Sequence, residues 1–335
     1  MESINTLETL IRNRDRRGLG RAITLIESDS FEQKESARHL MEALCKLGRK
    51  SRRIGISGPP GVGKSSFIER LGLLLVGDGR SIAVLAIDPS SPVSGGSILG
   101  DKTRMQDLAA HERAFIRPSP SGKSTGGVAR STRESILMLE AAGFDYILVE
   151  TVGVGQAEFT LESMVDLFIT LHQPSSGDDL QGIKKGILEL SQFVIVTKAD
   201  SHLQAAAELA KAELCQSFHF LPPLIPERKI LLCSAIENKG FELIFEEIES
   251  FFKDYFLSSR ALLRRNSQNT AWFQQELKFQ FEDLVENSKK SQAIKARYMS
   301  QLTETQAASS LASEALKEIL VLLTEENPPK NPPQT

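Results

Sequence analysis

The sequence predicts an α/β protein: a mostly parallel, doubly wound sheet flanked by helices, with a helical extension before it and a helical region after it. Three observations carry this prediction. Between residues 53 and 256, short apolar runs alternate with segments of helix length. Several of those runs are apolar almost throughout, as strands covered on both faces must be. After 257 the runs stop, and apolar residues recur at three- and four-residue steps.

In chain order, residues 1–50 form an N-terminal helical segment. Leu7, Leu10 and Ile11, then Ile23 and Ile26, then Leu40, Leu44 and Leu47 keep helical spacing, and Gly48 stops the last helix. Residues 51–257 hold the sheet, with strands expected at 53–57, 82–88, 114–118, 145–150, 167–172, 193–198 and 229–234. Helices are expected between them at 64–76, 128–142, 179–191, 201–217 and 240–256. Residues 258–325 form a C-terminal helical region. The tail 326–335, "ENPPKNPPQT", is Pro-rich and expected to be disordered.

Composition excludes several classes. The 335 residues are 41% apolar, ample for a buried core, and the net charge of −3 gives no global attraction to nucleic acid or anionic membrane. Cys45, Cys215 and Cys233 show no CxxC spacing and read as thiols in a reducing cytoplasm. No apolar run reaches the roughly 18 residues a membrane span needs. The N-terminal stretch lacks the apolar core of a secretory signal and contains acids that a transit peptide avoids. A soluble cytoplasmic protein is expected, without nucleic-acid or membrane partners.

The strongest motif is "GPPGVGKSS", residues 58–66. Gly58, Pro59, Pro60, Gly61, Val62, Gly63, Lys64, Ser65 and Ser66 follow an apolar strand and lead directly into a helix, the context a P-loop requires. The glycines let backbone N–H groups turn toward phosphate oxygens, and the helix start offers its own N–H groups and positive dipole end. Lys64 is expected on the β- and γ-phosphates, the Ser65 hydroxyl on Mg²⁺, and Ser66 at the α-phosphate. A second Gly-Lys-Ser, at 122–124, fails on spacing because Arg117 stands where the motif needs glycine. Gly126-Gly127 also argues against an immediate helix there, so Lys123 reads as a solvated loop lysine.

The base is read elsewhere. "VIVTKAD" ends a strand in Thr197-Lys198-Ala199-Asp200, close to the Asn-Lys-x-Asp of GTP-binding proteins. An Asp200 carboxylate would accept from guanine N1–H and the 2-amino group, a donor pair adenine lacks. The Lys198 stem would lie along the base. Thr197 replaces the usual Asn with fewer hydrogen bonds, which lowers the expected base affinity. Ser234-Ala235-Ile236, in "CSAIENKG", matches the turn whose backbone N–H meets guanine O6. GTP and GDP are the expected nucleotides.

Asp88, Asp101 and Glu150 sit at or just after strand ends, on the sheet edge where the P-loop lies, and suit Mg²⁺ directly or through its waters. Asp101 serves equally well as a loop cap. Gly153 resembles the glycine that hydrogen-bonds a γ-phosphate in switch loops. No glutamine directly follows it, so slow intrinsic hydrolysis is expected, with a partner helping to position water.

Together "GPPGVGKSS", "IDPSSPVSGGSILGDKTRM", "GGVARSTRE", "VETVGVGQAE", "GDDLQGIKKGILEL" and "TKAD" resemble the methylmalonyl-CoA mutase-associated GTPases. These are bacterial counterparts of the human protein of the cobalamin-A type of methylmalonic aciduria, once labelled arginine/ornithine transport ATPases. The resemblance runs in order over about residues 1–260 and weakens beyond 265. It implies a P-loop GTPase of the cofactor-chaperone class, a homodimer that gates adenosylcobalamin delivery to the mutase and removal of damaged cofactor. It places Lys64, Asp88, Asp101 and Glu150 on phosphate and Mg²⁺ positions, and Asp178–Lys185 on a third switch responsive to the mutase. Thr197 and the lysine in "SGKST" depart from the family pattern. Two other functions stay open: a kinase acting on a small molecule or transport protein, and a nickel-delivery GTPase, whose clustered Cys and His are not seen here. The C-terminal helices, with acids interleaved among Arg264-Arg265 and Lys289-Lys290, read as surfaces that pair subunits.

Overall fold

The computed structural model describes residues 4–28, 30–87, 105–117, 125–151, 157–174, 185–219, 221, 228–287, 289–302 and 308–326. Asp88, Asp101, Lys123 and Gly153 lie outside them, as does most of 178–185.

Seven described strands form one sheet: β1 (Arg52–Ser57), β2 (Ile82–Ile87), β3 (Ala114–Arg117), β4 (Tyr146–Thr151), β5 (Leu167–His172), β6 (Phe193–Val196) and β7 (Lys229–Leu232). Their order is β3-β2-β4-β1-β5-β6-β7, and every pairing is parallel. The expected fold class is therefore the observed one. With β1 central, the chain winds outward in both directions, and all the carboxyl ends gather on one edge.

The helices cover two faces. On one, α4 (Lys64–Gly77) and α10 (Phe241–Leu257) bury Phe67, Ile68, Leu71, Ile244, Ile248 and Phe252 against Ile54, Ile56, Leu148 and Ile169. On the other, α1 (Ile4–Arg12), α2 (Arg16–Ile26) and α3 (Phe31–Cys45) join α6 (Thr125–Ala142) over Ala83, Leu85, Ile147, Val149 and Phe168. Adjacent strand residues such as Leu148 and Val149 serve opposite faces, the period-2 consequence of the pleat. A further cluster places α9 (Gln204–Phe218) and α8 (Lys185–Leu190) on β6 through Ala207, Leu214 and Leu188. The short α5 (Gln106–Ala110) and α7 (Ala157–Glu162) complete this unit.

One expectation is corrected. The helix after β3 begins at Thr125 and runs through Gly126-Gly127, where the glycines were expected to delay it to 128. First-turn residues donate no intrahelical hydrogen bond, so glycine there sacrifices little, and buried Val128 with the apolar face behind it holds the helix. The spacing argument against a second P-loop is untouched, since Arg117 still occupies the glycine position.

At the amino ends of the strands lies a buried ion pair, Arg53 with Glu140. Glu140 also accepts from Ser51 N–H at 3.0 Å, and Arg53 N–H donates to Asp166 at 3.0 Å. Each buried charge thus has its partners, which is the condition for tolerating it.

Gly240, at the start of α10, has φ +82, and a Cβ built on it collides with the Leu232 carbonyl oxygen. Gly240→Ala should therefore cost at least about 2 kcal/mol, read as a lower denaturant midpoint at constant slope. Gly20, in the middle of α2 with nothing among the described residues within 4 Å of a built Cβ, is the contrast: Gly20→Ala should stabilise by about 0.5–1 kcal/mol, read as a higher midpoint. Equal effects at the two sites would contradict the packing described here.

The chain divides into two compact units, Met1–Arg264 and Arg265–Thr335. In the second, α12 (Lys289–Met299) and α13 (Ala308–Glu326) pack through Ile294, Ala315 and Ile319, with Arg297 paired to Glu318. The long α11 (Arg260–Asn287) presents Phe273, Leu277 and Phe281 at four-residue steps, all exposed.

Candidate nucleotide site

The loop between β1 and α4 has the backbone of an anion cradle. Gly61 and Gly63 take φ +76 and +98, and among the described residues a Cβ at either would meet nothing within 4 Å. Gly63 is the N-cap of α4 and has no side chain to cap it, so the first-turn N–H groups suit an external acceptor. Lys64 is buried, and its Nζ donates to the carbonyls of Gly58 at 2.8 Å and Pro59 at 3.1 Å. Burial pulls the Lys64 pKa below its ordinary value, while the carboxylates of Glu150 and Glu158 push it back up. The left-handed glycines, the helix start and the lysine suit the phosphates of a nucleotide.

Glu150 is buried near the end of β4, opposite Ile56 of β1 and Ala86 of β2. Its neighbour Thr151 donates to Ser57 Oγ at 3.1 Å, tying the ends of β4 and β1 together beneath the loop. A carboxylate within electrostatic reach of Lys64 at this edge suits a hard, oxygen-seeking cation.

The base-side segments form a second, linked cluster. Thr197 is buried, and its hydroxyl lies 2.7 Å from the Val62 carbonyl and 3.1 Å from that of His172. One side chain therefore joins the phosphate loop, β5 and the end of β6. Lys198 has φ +55, and its Nζ donates to Gln173 Oε1 at 3.0 Å. Asp200 is buried, and its Oδ1 accepts from the Ser234 hydroxyl; among the described residues no hydrogen bond reaches Oδ2. Ala199 N–H donates to Cys233 O at 3.0 Å, aligning the two segments. Burial and the Asp200 charge push the Cys233 thiol up to about 12. Ala235 O accepts from Arg70 Nε at 3.1 Å, which fastens this turn to α4, and Ile236 is 84% exposed.

The structure thus brings the loop at 58–66, Glu150, Thr197, Lys198, Asp200 and Ser234–Ile236 to one edge of the sheet. It also adds residues the sequence did not single out. Glu158, buried in the first turn of α7, favours the charged form of Lys64, and Arg70 and Glu237 brace the turn that begins at Ser234. Only the fold could reveal them, since each works by meeting a segment distant in sequence. Among the described residues, no group of three or more His, Cys, Asp or Glu is placed to hold a metal ion. None of their helices is long and apolar enough to cross a membrane.

Known proteins resemble this chain in sequence and in fold. A family model described as methylmalonyl Co-A mutase-associated GTPase MeaB matches residues 19–293. The GTPase ArgK of Escherichia coli is 41% identical over 79% of this chain and 81% of its own length. The mitochondrial methylmalonic aciduria type A homolog of Mus musculus is 40% identical over 80% of this chain and 68% of its own length. A crystal structure described as a LAO/AO transport system kinase superposes with a TM-score of 0.72 at 28% identity, covering 96% of this chain and 97% of that one.

Proposed function

The chain belongs to the methylmalonyl-CoA mutase-associated GTPase family, and on that premise we propose that it is a GTP-driven chaperone of an acyl-CoA mutase. As a member of that family it binds and hydrolyses GTP. The finer reading is that hydrolysis gates adenosylcobalamin loading and protects methylmalonyl-CoA mutase or a close relative. The single observation that carries it is the family match over residues 19–293, which spans the phosphate loop and the base segments alike.

In this reading the amides at Gly61–Ser65 hold the phosphates, and Lys64 exchanges the Gly58 and Pro59 carbonyls for phosphate oxygens. The exchange is favourable because phosphate oxygens carry full negative charge where the two carbonyls carry only partial charge. Asp200 selects guanine with Oδ2 while Ser234 holds Oδ1, and Lys198 lines the base. Glu150 and Ser65 would hold Mg²⁺, together with Asp88 and Asp101 from outside the described residues. The ion would supply charge neutralisation between phosphate oxygens. Gly153 would contact the γ-phosphate, and the segment Asp178–Lys185 would answer to the mutase. A homodimer is proposed through the C-terminal helices, supported by the exposed stripe of Phe273, Leu277 and Phe281.

The test mixes the purified chain with a methylmalonyl-CoA mutase and follows mass by light scattering and GTP turnover with γ-labelled nucleotide. A dimeric mass, a complex and at least about tenfold faster release of label to water are expected. A monomeric mass would remove the dimer. Indifference to methylmalonyl-CoA, isobutyryl-CoA and ethylmalonyl-CoA mutases would remove the chaperone role. Label transferred to an acceptor other than water would replace it with a kinase.

A further inference from the structure

We infer that Glu237 is a positioning residue for guanine selection, a latch that holds the base turn onto the segment carrying Asp200. The inference rests on the base-site reading above and deepens it. The loop from Ser234 to Gly240 is first closed on itself: Ser234 N–H donates to Lys239 O at 3.0 Å, and Lys239 N–H returns to Ser234 O at 3.1 Å. Asn238 and Gly240 both turn with positive φ to allow that closure. From this loop, Glu237 Oε1 accepts from Ser201 N–H at 2.9 Å and from the Ser201 hydroxyl, while Oε2 receives the Lys239 ammonium.

The same residue acts a second time through its backbone. Glu237 N–H donates to Ser234 Oγ at 3.0 Å, and Ser234 Oγ in turn donates to Asp200 Oδ1. A serine hydroxyl has one proton; occupying its lone pair from Glu237 directs that proton toward Asp200. Asp200, Ser201, Glu237 and Ser234 therefore form a closed ring. Two of its links belong to Glu237, and the carboxylate that reads the base is one of its corners. The hydrogen bond from Lys239, then those from Ser201, hold the Glu237 pKa at about 2, so at neutral pH the side chain is an acceptor only. Without the side-chain link the turn can drift from Ser201, and the guanine donors would meet a carboxylate of unfixed orientation.

The experiment titrates GDP, inosine diphosphate (which lacks the 2-amino group) and ADP into the full chain and its variants. Glu237→Ala is expected to narrow the GDP-to-ADP preference by roughly tenfold, through GDP alone, and to erase most of the GDP-to-inosine difference. Glu237→Gln keeps an oxygen for Ser201 and is expected to retain most of the preference. Ser201→Ala, which keeps its N–H, should narrow it by about threefold and serves if Glu237→Ala does not fold. The latch is overturned by an unchanged ratio in Ser201→Ala or Glu237→Ala, by equal weakening of GDP and ADP, or by a Glu237→Gln protein as impaired as Glu237→Ala. If Asp200→Asn narrows the preference and Glu237→Ala does not, the latch alone is wrong. A parent protein that does not separate GDP from ADP removes the base site itself, and the latch with it.

Discussion

Lys64→Ala is expected to lower GTP turnover per unit enzyme and substrate by about 10²–10³-fold and to weaken GDP binding along with it. Loss of one preorganised donor at a site of developing charge has about that effect. The structure gives the reason for so large a response. Nζ is already desolvated and aimed within the loop, on Gly58 and Pro59 carbonyls, so little reorganisation separates it from a phosphate. Its removal also takes away the cation that the charges of Glu150 and Glu158 favour here, which makes the loop less attractive to an anion. Lys64→Arg should not rescue, because a planar guanidinium does not occupy the space of a compact ammonium held between two carbonyls. Unchanged far-UV circular dichroism would establish that the variant is folded. Turnover within threefold of the parent in such a protein would refute the role given to Lys64.

Asp200→Asn should abolish the preference for guanine, with GDP affinity falling at least about 10²-fold and xanthosine diphosphate becoming the better ligand. Two hydrogen bonds to a carboxylate are each worth about 1.5–3 kcal/mol, which sets that scale. The local geometry sharpens the expectation. The Ser234 hydroxyl donates to Oδ1, so an asparagine keeps its amide oxygen on Ser234 and turns Nδ2 toward the base. Two donors then meet where guanine presents N1–H and the 2-amino group, whereas xanthine offers a carbonyl at that position. Competition among GDP, xanthosine diphosphate and ADP reads this directly. Retained guanine preference would place the base elsewhere.

The sheet was legible because a strand covered on both faces needs apolar residues at both parities, and "YILVE" and "FVIVT" satisfy that in any register. The phosphate loop was legible because glycine positions, a strand and a helix start must coincide. Gly126-Gly127 misled because helix propensity counts glycine as a break wherever it falls, whereas its cost is lower in the unbonded first turn. The sequence singled out Asp200 and Ser234, which the fold brings into hydrogen-bond contact, but not the groups that steady them. Thr197 looked like a weakened asparagine, and in the structure its hydroxyl lies within hydrogen-bond distance of both Val62 and His172. Arg70 and Glu237 stand 165 and 36 residues from the partners they hold, and helical or strand periodicity carries no information about such meetings.

The first three helices close one face of the sheet with residues made far later in the chain. Ile11, Leu19, Ile23 and Leu40 share their cluster with Ile136, Leu139, Ile147 and Phe168. During translation, at about 5–20 residues per second, these greasy helices wait on the order of ten seconds for the surface that shelters them. Until then their apolar faces lack the later half of that cluster, and a pause engineered between residues 50 and 125 would lengthen that exposure.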